Sequence, residues 1–215
     1  MWNRSGNDRI DIDTLTITNE WELGSDLSSD ICALNFDDVN IYACIRNGGL
    51  KVINKTSGEV KEYNISESSI WAIIVGDYIY AGNVNGELLV INKADIRILN
   101  KKPVHKKNLK SLLMLDDVIY TASQDLSVAK VDKNTLDIID CSKRCHNKMF
   151  YLAGAWQDYL ITVSPPCREM KVWRKSDLLL CKTVNRGEWG SFIDGNILYE
   201  KKGNSIIFTE LNDLI

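Results

Sequence analysis

The sequence predicts an all-β fold: a β-propeller of four-stranded antiparallel blades, five in number and closed by an N-terminal outer strand. Three observations carry this. A phrase recurs around the chain as Ile41-Tyr42-Ala43-Cys44, Ile79-Tyr80-Ala81-Gly82 and Ile119-Tyr120-Thr121-Ala122, then more loosely as Leu160-Ile161-Thr162-Val163 and Ile197-Leu198-Tyr199-Glu200, at spacings of 38, 40, 41 and 37 residues. Each phrase is followed by a polar turn and a second apolar run. Helical periodicity is nowhere sustained.

Within a unit the elements follow one order. In the second, residues 69–75 form an inner strand a, Gly76-Asp77 a tight turn, 78–82 strand b, Asn85-Gly86 a hairpin turn, 88–92 strand c and 96–99 an outer strand d. Asn-Gly suits the hairpin because glycine supplies the positive φ such turns require, and Asn47-Gly48-Gly49 repeats the device. Asp38, Asp77, Asp117, Asp158 and Asp194 each precede a b strand, where a short carboxylate bonds nearby amides. The c strands, such as Leu50-Lys51-Val52-Ile53 and Met170-Lys171-Val172-Trp173, carry apolar residues on both faces, as sheets packed between neighbours do.

One domain spans 1–215, with repeats at about 24–66, 67–105, 106–144, 145–186 and 187–215. The last repeat has no room for a d strand, whereas residues 10–23 read as outer strands and include Leu15-Thr16-Ile17-Thr18. Segment 1–23 is therefore expected to close the last blade and remove its bare edge. Ile10-Asp11-Ile12-Asp13 fits that scheme less well, because it resembles an additional c strand.

Charge and composition narrow the function classes. A net charge of −3 gives no global attraction to phosphate backbones or anionic membranes. No segment approaches the ~20 apolar residues of a membrane span. Met1-Trp2-Asn3-Arg4 does not open as a signal peptide, so a cytoplasmic protein is expected and the Asn-X-Ser/Thr matches at Asn3, Asn54 and Asn64 carry no glycosylation. Among six cysteines only Cys141 and Cys145, beside His146, lie close together, and that spacing is a poor zinc motif. Phosphate loops, nucleophile elbows and calcium loops are missing from the sequence, and no cofactor or metal is predicted.

Thr121-Ala122-Ser123-Gln124-Asp125-Leu126-Ser127-Val128-Ala129-Lys130-Val131-Asp132 and Glu169-Met170-Lys171-Val172-Trp173-Arg174 resemble the strand b, turn and strand c phrases of the WD-repeat family, from about Ser28 onward. The resemblance implies a propeller whose blades are tied by a His, Ser/Thr, Asp and Trp hydrogen-bond network. His105, Ser123 and Asp125 match it in the third unit, with Val131 where Trp would stand. His146, Ser164 and Trp173 match it in the fourth, with Cys167 in place of Asp. Both histidines are accordingly assigned to structure rather than catalysis.

The same resemblance makes the face built from d–a and b–c loops the partner-binding surface. Aligning the a strands places Cys32, Trp71, Lys110 and Tyr151 near the channel entrance, with Trp189 close by. Aromatic rings and a cation there suit peptide recognition, because Trp and Tyr combine large apolar area with one polar group. Arg46 and Gln124 stand on the same face. The basic run 101–110, with Lys106, Lys107 and Lys110, is assigned to the d–a connection entering the third unit. The predicted function is a non-catalytic scaffold for a protein or peptide, acidic or phosphorylated. Trp71, Tyr151 and Trp189 would anchor it, and Arg46, Lys106, Lys107 and Lys110 would select acidic groups. The alternatives are an anion binder for phosphoinositide or RNA through 101–110, and a propeller enzyme such as a lyase or hydrolase.

Overall fold

The structure is a computed structural model that describes residues 30–213 in full and residues 7–10 and 17–21 as backbone. Residues 1–6, 11–16, 22–29 and 214–215 lie outside the description, and with them Asn3, Leu15-Thr16 and the end of the Ile10–Asp13 phrase. Strands β1 (Asn7–Ile10) and β2 (Ile17–Trp21) form a two-stranded sheet. Five antiparallel meanders follow around one axis, making a five-bladed β-propeller. The first comprises β3 (Ile31–Phe36), β4 (Asn40–Ile45), β5 (Gly49–Asn54) and β6 (Val60–Asn64); the second β7 (Ile70–Val75), β8 (Ile79–Asn83), β9 (Glu87–Ile91) and β10 (Ile98–Pro103). The third holds β11 (Leu109–Leu115), β12 (Val118–Ser123), β13 (Val128–Asp132) and β14 (Ile138–Ser142); the fourth β15 (Tyr151–Trp156), β16 (Tyr159–Ser164), β17 (Glu169–Arg174) and β18 (Leu180–Val184). The fifth has three strands, β19 (Phe192–Asp194), β20 (Ile197–Lys202) and β21 (Ser205–Glu210).

The repeated Ile-Tyr phrase is the b strand because it is apolar on both faces and must be covered on both. In β8 every residue is buried. Each of the four larger core clusters accordingly lies between two blades: Tyr42, Cys44 and Leu50 of the first meet Ile70, Ile73 and Ile79 of the second. The same pattern joins Tyr80 and Leu88 to Leu109 and Ile119, then Tyr120 and Val128 to Phe150 and Leu160. At roughly 25 cal/mol per Å² of apolar surface, these inter-blade layers are the main stabilising contribution.

Turn chemistry sets the two rims. On the rim with a–b and c–d turns, Asp37 accepts from the amides of Val39 and Asn40 and from the Tyr42 hydroxyl. Asp37 rather than Asp38 thus has the turn role. Burial would raise its pKa, but these bonds and the Lys93 ammonium overcome that and hold it down at about 2. In the c–d turns Gly58, Ile96, Leu136 and Leu178 share one position, with φ of 73, 54, 60 and 51°. Leu136 and Leu178 are buried, and their burial offsets the ~1–2 kcal/mol cost of a left-handed leucine or isoleucine.

On the opposite rim, Gly48 and Gly86 have φ of 89 and 80° in the b–c turns. A Cβ at either would overlap the backbone oxygen of Ser66 or His105 in the next loop, so glycine is required twice over.

The expected closing segment 1–23 falls mostly outside the described residues; of the part described, β2 pairs with β1, and β21 has β20 as its only strand neighbour among the described residues. One expectation is corrected. The outer strand of the second blade runs 98–103 rather than 96–99, because the left-handed Ile96 still belongs to the turn.

Packing proceeds from β3 to β7, β11, β15 and β19, and among the described residues no comparable strand packing leads from β19 back to β3. The faces that turn away from their neighbours there are apolar and exposed. Phe192, Tyr199 and Phe208 align across the fifth blade, and Phe208 is 71% and Phe36 62% exposed.

Candidate partner-binding face

The d–a loops and b–c turns form one rim, stitched by backbone hydrogen bonds in a repeating manner. The oxygen of Gly48 accepts from Ser66 N, that of Gly86 from Val104 and His105 N, and that of Leu126 from Cys145 N. In the first three blades the b–c turn also reaches back, Arg46 N to Asp30 O, Val84 N to Ser69 O and Gln124 N to Asn108 O. The loops 65–69 and 104–108 are therefore clamped between the turns of two blades.

Beneath this rim lie polar staples. In the fourth blade His146 Nε2 is 2.8 Å from Thr162 Oγ1, and Trp173 Nε1 donates to the same oxygen at 2.8 Å. His146 Nδ1 is 2.8 Å from Glu169, whose other partner is Lys171 at 3.2 Å. Burial, partly offset by Glu169, brings the imidazole down to about 4. In the third blade His105 contacts Thr121 at 2.7 Å and Ser127 at 2.8 Å. Burial lowers its pKa too, while the Asp125 carboxylate, 3.4 Å away, opposes.

The hydroxyl partners are thus Thr121 and Thr162, not Ser123 and Ser164, whose hydroxyls instead donate to the Lys107 and Met149 carbonyls. The acid of the fourth blade is Glu169, not absent: it is the first residue of the c strand, and its longer side chain reaches back. With both ring nitrogens engaged, His146 has no lone pair left for a metal beside Cys141 and Cys145.

The fifth blade carries a staple that sequence reasoning missed. Counted from the a–b turn, Glu200 stands where Thr162 does and Thr209 where Trp173 does. Arg186, from the d–a loop, donates through Nε to Glu200 at 2.7 Å and through Nη2 to Thr209 at 3.2 Å. The position is kept and the chemistry exchanged, an ion pair for neutral hydrogen bonds.

On the same rim, Lys110 Nζ lies 3.9 Å above the Trp71 ring. Both side chains are half-buried, and burial pulls the Lys110 ammonium down. Cys32 lies near enough to feel Lys110 and Arg46, though burial raises its thiol more. Tyr151 stacks on Trp189 with centroids 6.4 Å apart and donates to Glu188 O, so it bridges the fourth and fifth blades. By register Tyr151 matches Ser111 rather than Lys110, because the β15 bulge falls two residues later. Trp189 is 54% exposed. Arg46 is held by Asp30 at 3.0 Å and is less free than expected.

The basic run divides. Lys101 and Lys102 lie in the outer strand β10, not in the loop, and pair with Glu87 at 3.2 Å and Asp137 at 2.7 Å. Lys106 and Lys107 remain exposed on the rim. Sequence reasoning also missed Lys143, Arg144 and Lys148, exposed in the next d–a loop. Their interruption by Cys145 and His146 hid them as a charge run, although they fall in the loop equivalent to 104–108. A groove of about 520 Å³ between the first two blades is lined by Ser66, Glu67 and Glu87 together with Lys101.

Comparison with known proteins places the architecture. No family model matches the chain. A chain of the mitotic checkpoint complex superposes with a TM-score of 0.80 at 12% identity, over 96% of this chain and 70% of that one. The WD40 β-propeller domain of Doa1 gives 0.70 at 15% identity, over 84% and 64%. The computationally designed Ika8 protein gives 0.70 at 15%, over 84% and 58%. The fold is therefore that of WD40 β-propellers, and the chain spans less than two thirds of the last two. Among curated proteins, Shk1 kinase-binding protein 15 of Schizosaccharomyces pombe is 43% identical over 53 residues, which is 25% of this chain and 16% of that protein.

Proposed function

We propose that this chain is a non-catalytic scaffold that holds a protein or peptide partner across the loop rim. The observation that carries the reading is the exposed Trp189, stacked on Tyr151, with the Lys110–Trp71 pair on the same rim. Rigid aromatic anchors contribute binding area at low entropic cost. Lys110, Lys106 and Lys107 would meet acidic groups, with Arg46 contributing only where it exchanges Asp30. The partial likeness to a kinase-binding protein supports a polypeptide partner and makes a protein kinase the first class to test. A cytoplasmic setting fits six free cysteines, and among the described residues no helix is long and apolar enough to cross a membrane.

The test is a pull-down from native cell extract with wild-type chain and a Trp71→Ala, Trp189→Ala double variant, both verified as folded. A partner captured by the wild type and lost by the variant is the expected result. Equal capture by both would move the binding surface elsewhere.

A further inference from the structure

The third blade's b–c turn, residues 124–127, is gripped from both sides. Asp125 accepts from Lys106 N at 2.9 Å, and Leu126 O accepts from Cys145 N at 2.8 Å. The two loops that grip it carry Lys106 and Lys107 on one flank and Lys143, Arg144 and Lys148 on the other, all exposed. Neither loop, 104–108 or 143–150, contains an Asp or Glu. Among the described residues these five cations form no ion pair, whereas Lys101, Lys102 and Lys171 each have a carboxylate. Asp125 itself is turned inward, toward His105 and Ser127.

We propose that these two loops form a binding site for a phosphorylated segment of a partner polypeptide, seated over the 124–127 turn. The inference rests on the scaffold reading and names the chemistry its partner presents. Five uncompensated cations on backbone-clamped loops make a local positive field whose self-repulsion a dianionic phosphate relieves. The compactness of the site favours a short anion: the protein is acidic overall, so a long polyanion would be repelled beyond these loops. Met149, exposed in the same loop, and Trp189, exposed in the d–a loop of the next blade, offer apolar contacts to the residues flanking a phosphate.

The test uses immobilised peptide libraries centred on phosphoserine or phosphothreonine, their unphosphorylated counterparts, and a single-stranded oligouridylate. Wild-type chain should be retained on the phosphorylated libraries about tenfold better than on the unphosphorylated ones. A Lys106→Glu, Lys143→Glu, Lys148→Glu variant should lose that preference. The control Lys201→Glu, Lys202→Glu, at the exposed end of strand β20, should keep it. Equal retention on both libraries, loss in the control variant, or tighter binding to oligouridylate overturns the proposal. The scaffold reading fails separately, through the tryptophan variants: partner capture that survives the lysine reversals but not the tryptophan changes leaves the scaffold standing and sinks the phosphate site.

Discussion

The fourth and fifth blades are neighbours written in the same repeat, yet they hold their b strands in opposite ways. The fourth uses neutral groups, His146, Thr162 and Trp173, converging on one hydroxyl oxygen. The fifth puts Arg186, Glu200 and Thr209 in the same places. The fourth is covered on both faces, with Leu160 and Trp173 buried on one and Ile161, Val163, Met170 and Val172 on the other, while the fifth presents Phe192, Ile206 and Phe208 outward. The difference teaches that the repeat specifies a polar link between d–a loop and b strand, not its chemistry. A neutral staple answers to histidine protonation and a charged one to loss of a partner.

The sharpest way to break this comparison is Glu200→Ala. Glu200 is buried and Arg186 mostly so, and removing one member of such a pair leaves an uncompensated charge, at a cost of about 3–4 kcal/mol. Urea unfolding should show this; a loss below about 1 kcal/mol would mean the ion pair is no equivalent of the histidine staple.

Acid should act on the other side of the comparison. His146 titrates near 4 in the folded chain, below the 6.5 of an ordinary histidine, so the unfolded chain takes up the proton first. Stability contributed by the neutral ring is then whole above pH 6.5, falls as pH drops, and by pH 5 is reduced by about 2 kcal/mol. Hydrogen exchange should report it in β16 and β17 before β20, since the fifth blade contains no histidine. Loss of protection in β20 first would reverse the assignment.

The smallest effect is expected on the bare face. Phe208→Ser should change unfolding free energy by less than about 0.5 kcal/mol, as exposed substitutions do. A drop of several kcal/mol would show that the aromatic ladder is covered in solution.

Much of the architecture was legible because it repeats. The Ile-Tyr phrases are the b strands, and the Asn-Gly pairs supply the positive φ of the b–c turns, because both features recur at a fixed offset and depend on local backbone physics. The staples were only half legible. Strand alternation places Thr121 and Ser123 on one face, but which hydroxyl meets the histidine depends on how far the d–a loop dips, a tertiary quantity. Arg186 and Glu200 resemble nothing in the other repeats, so no pattern could pair them. Of the candidate surface, Trp71 beside Lys110 followed from aligning a strands. Lys143 and Lys148 did not emerge, because charge was read along the chain rather than from loop to equivalent loop.

The left-handed Leu136 and Leu178 have a consequence for how the molecule breathes. Each is at once the corner of a c–d turn and a plug in the blade interior. Such a turn cannot open without drawing its leucine out of the core, so local opening there is tied to the blade as a whole. The d–a loops of the other rim are held by a different device, the buried His105 and His146 together with backbone hydrogen bonds to the neighbouring turns. Opening on either rim therefore has to draw a buried side chain out of the blade, and a visiting molecule meets loops whose polar tips alone are free to adjust.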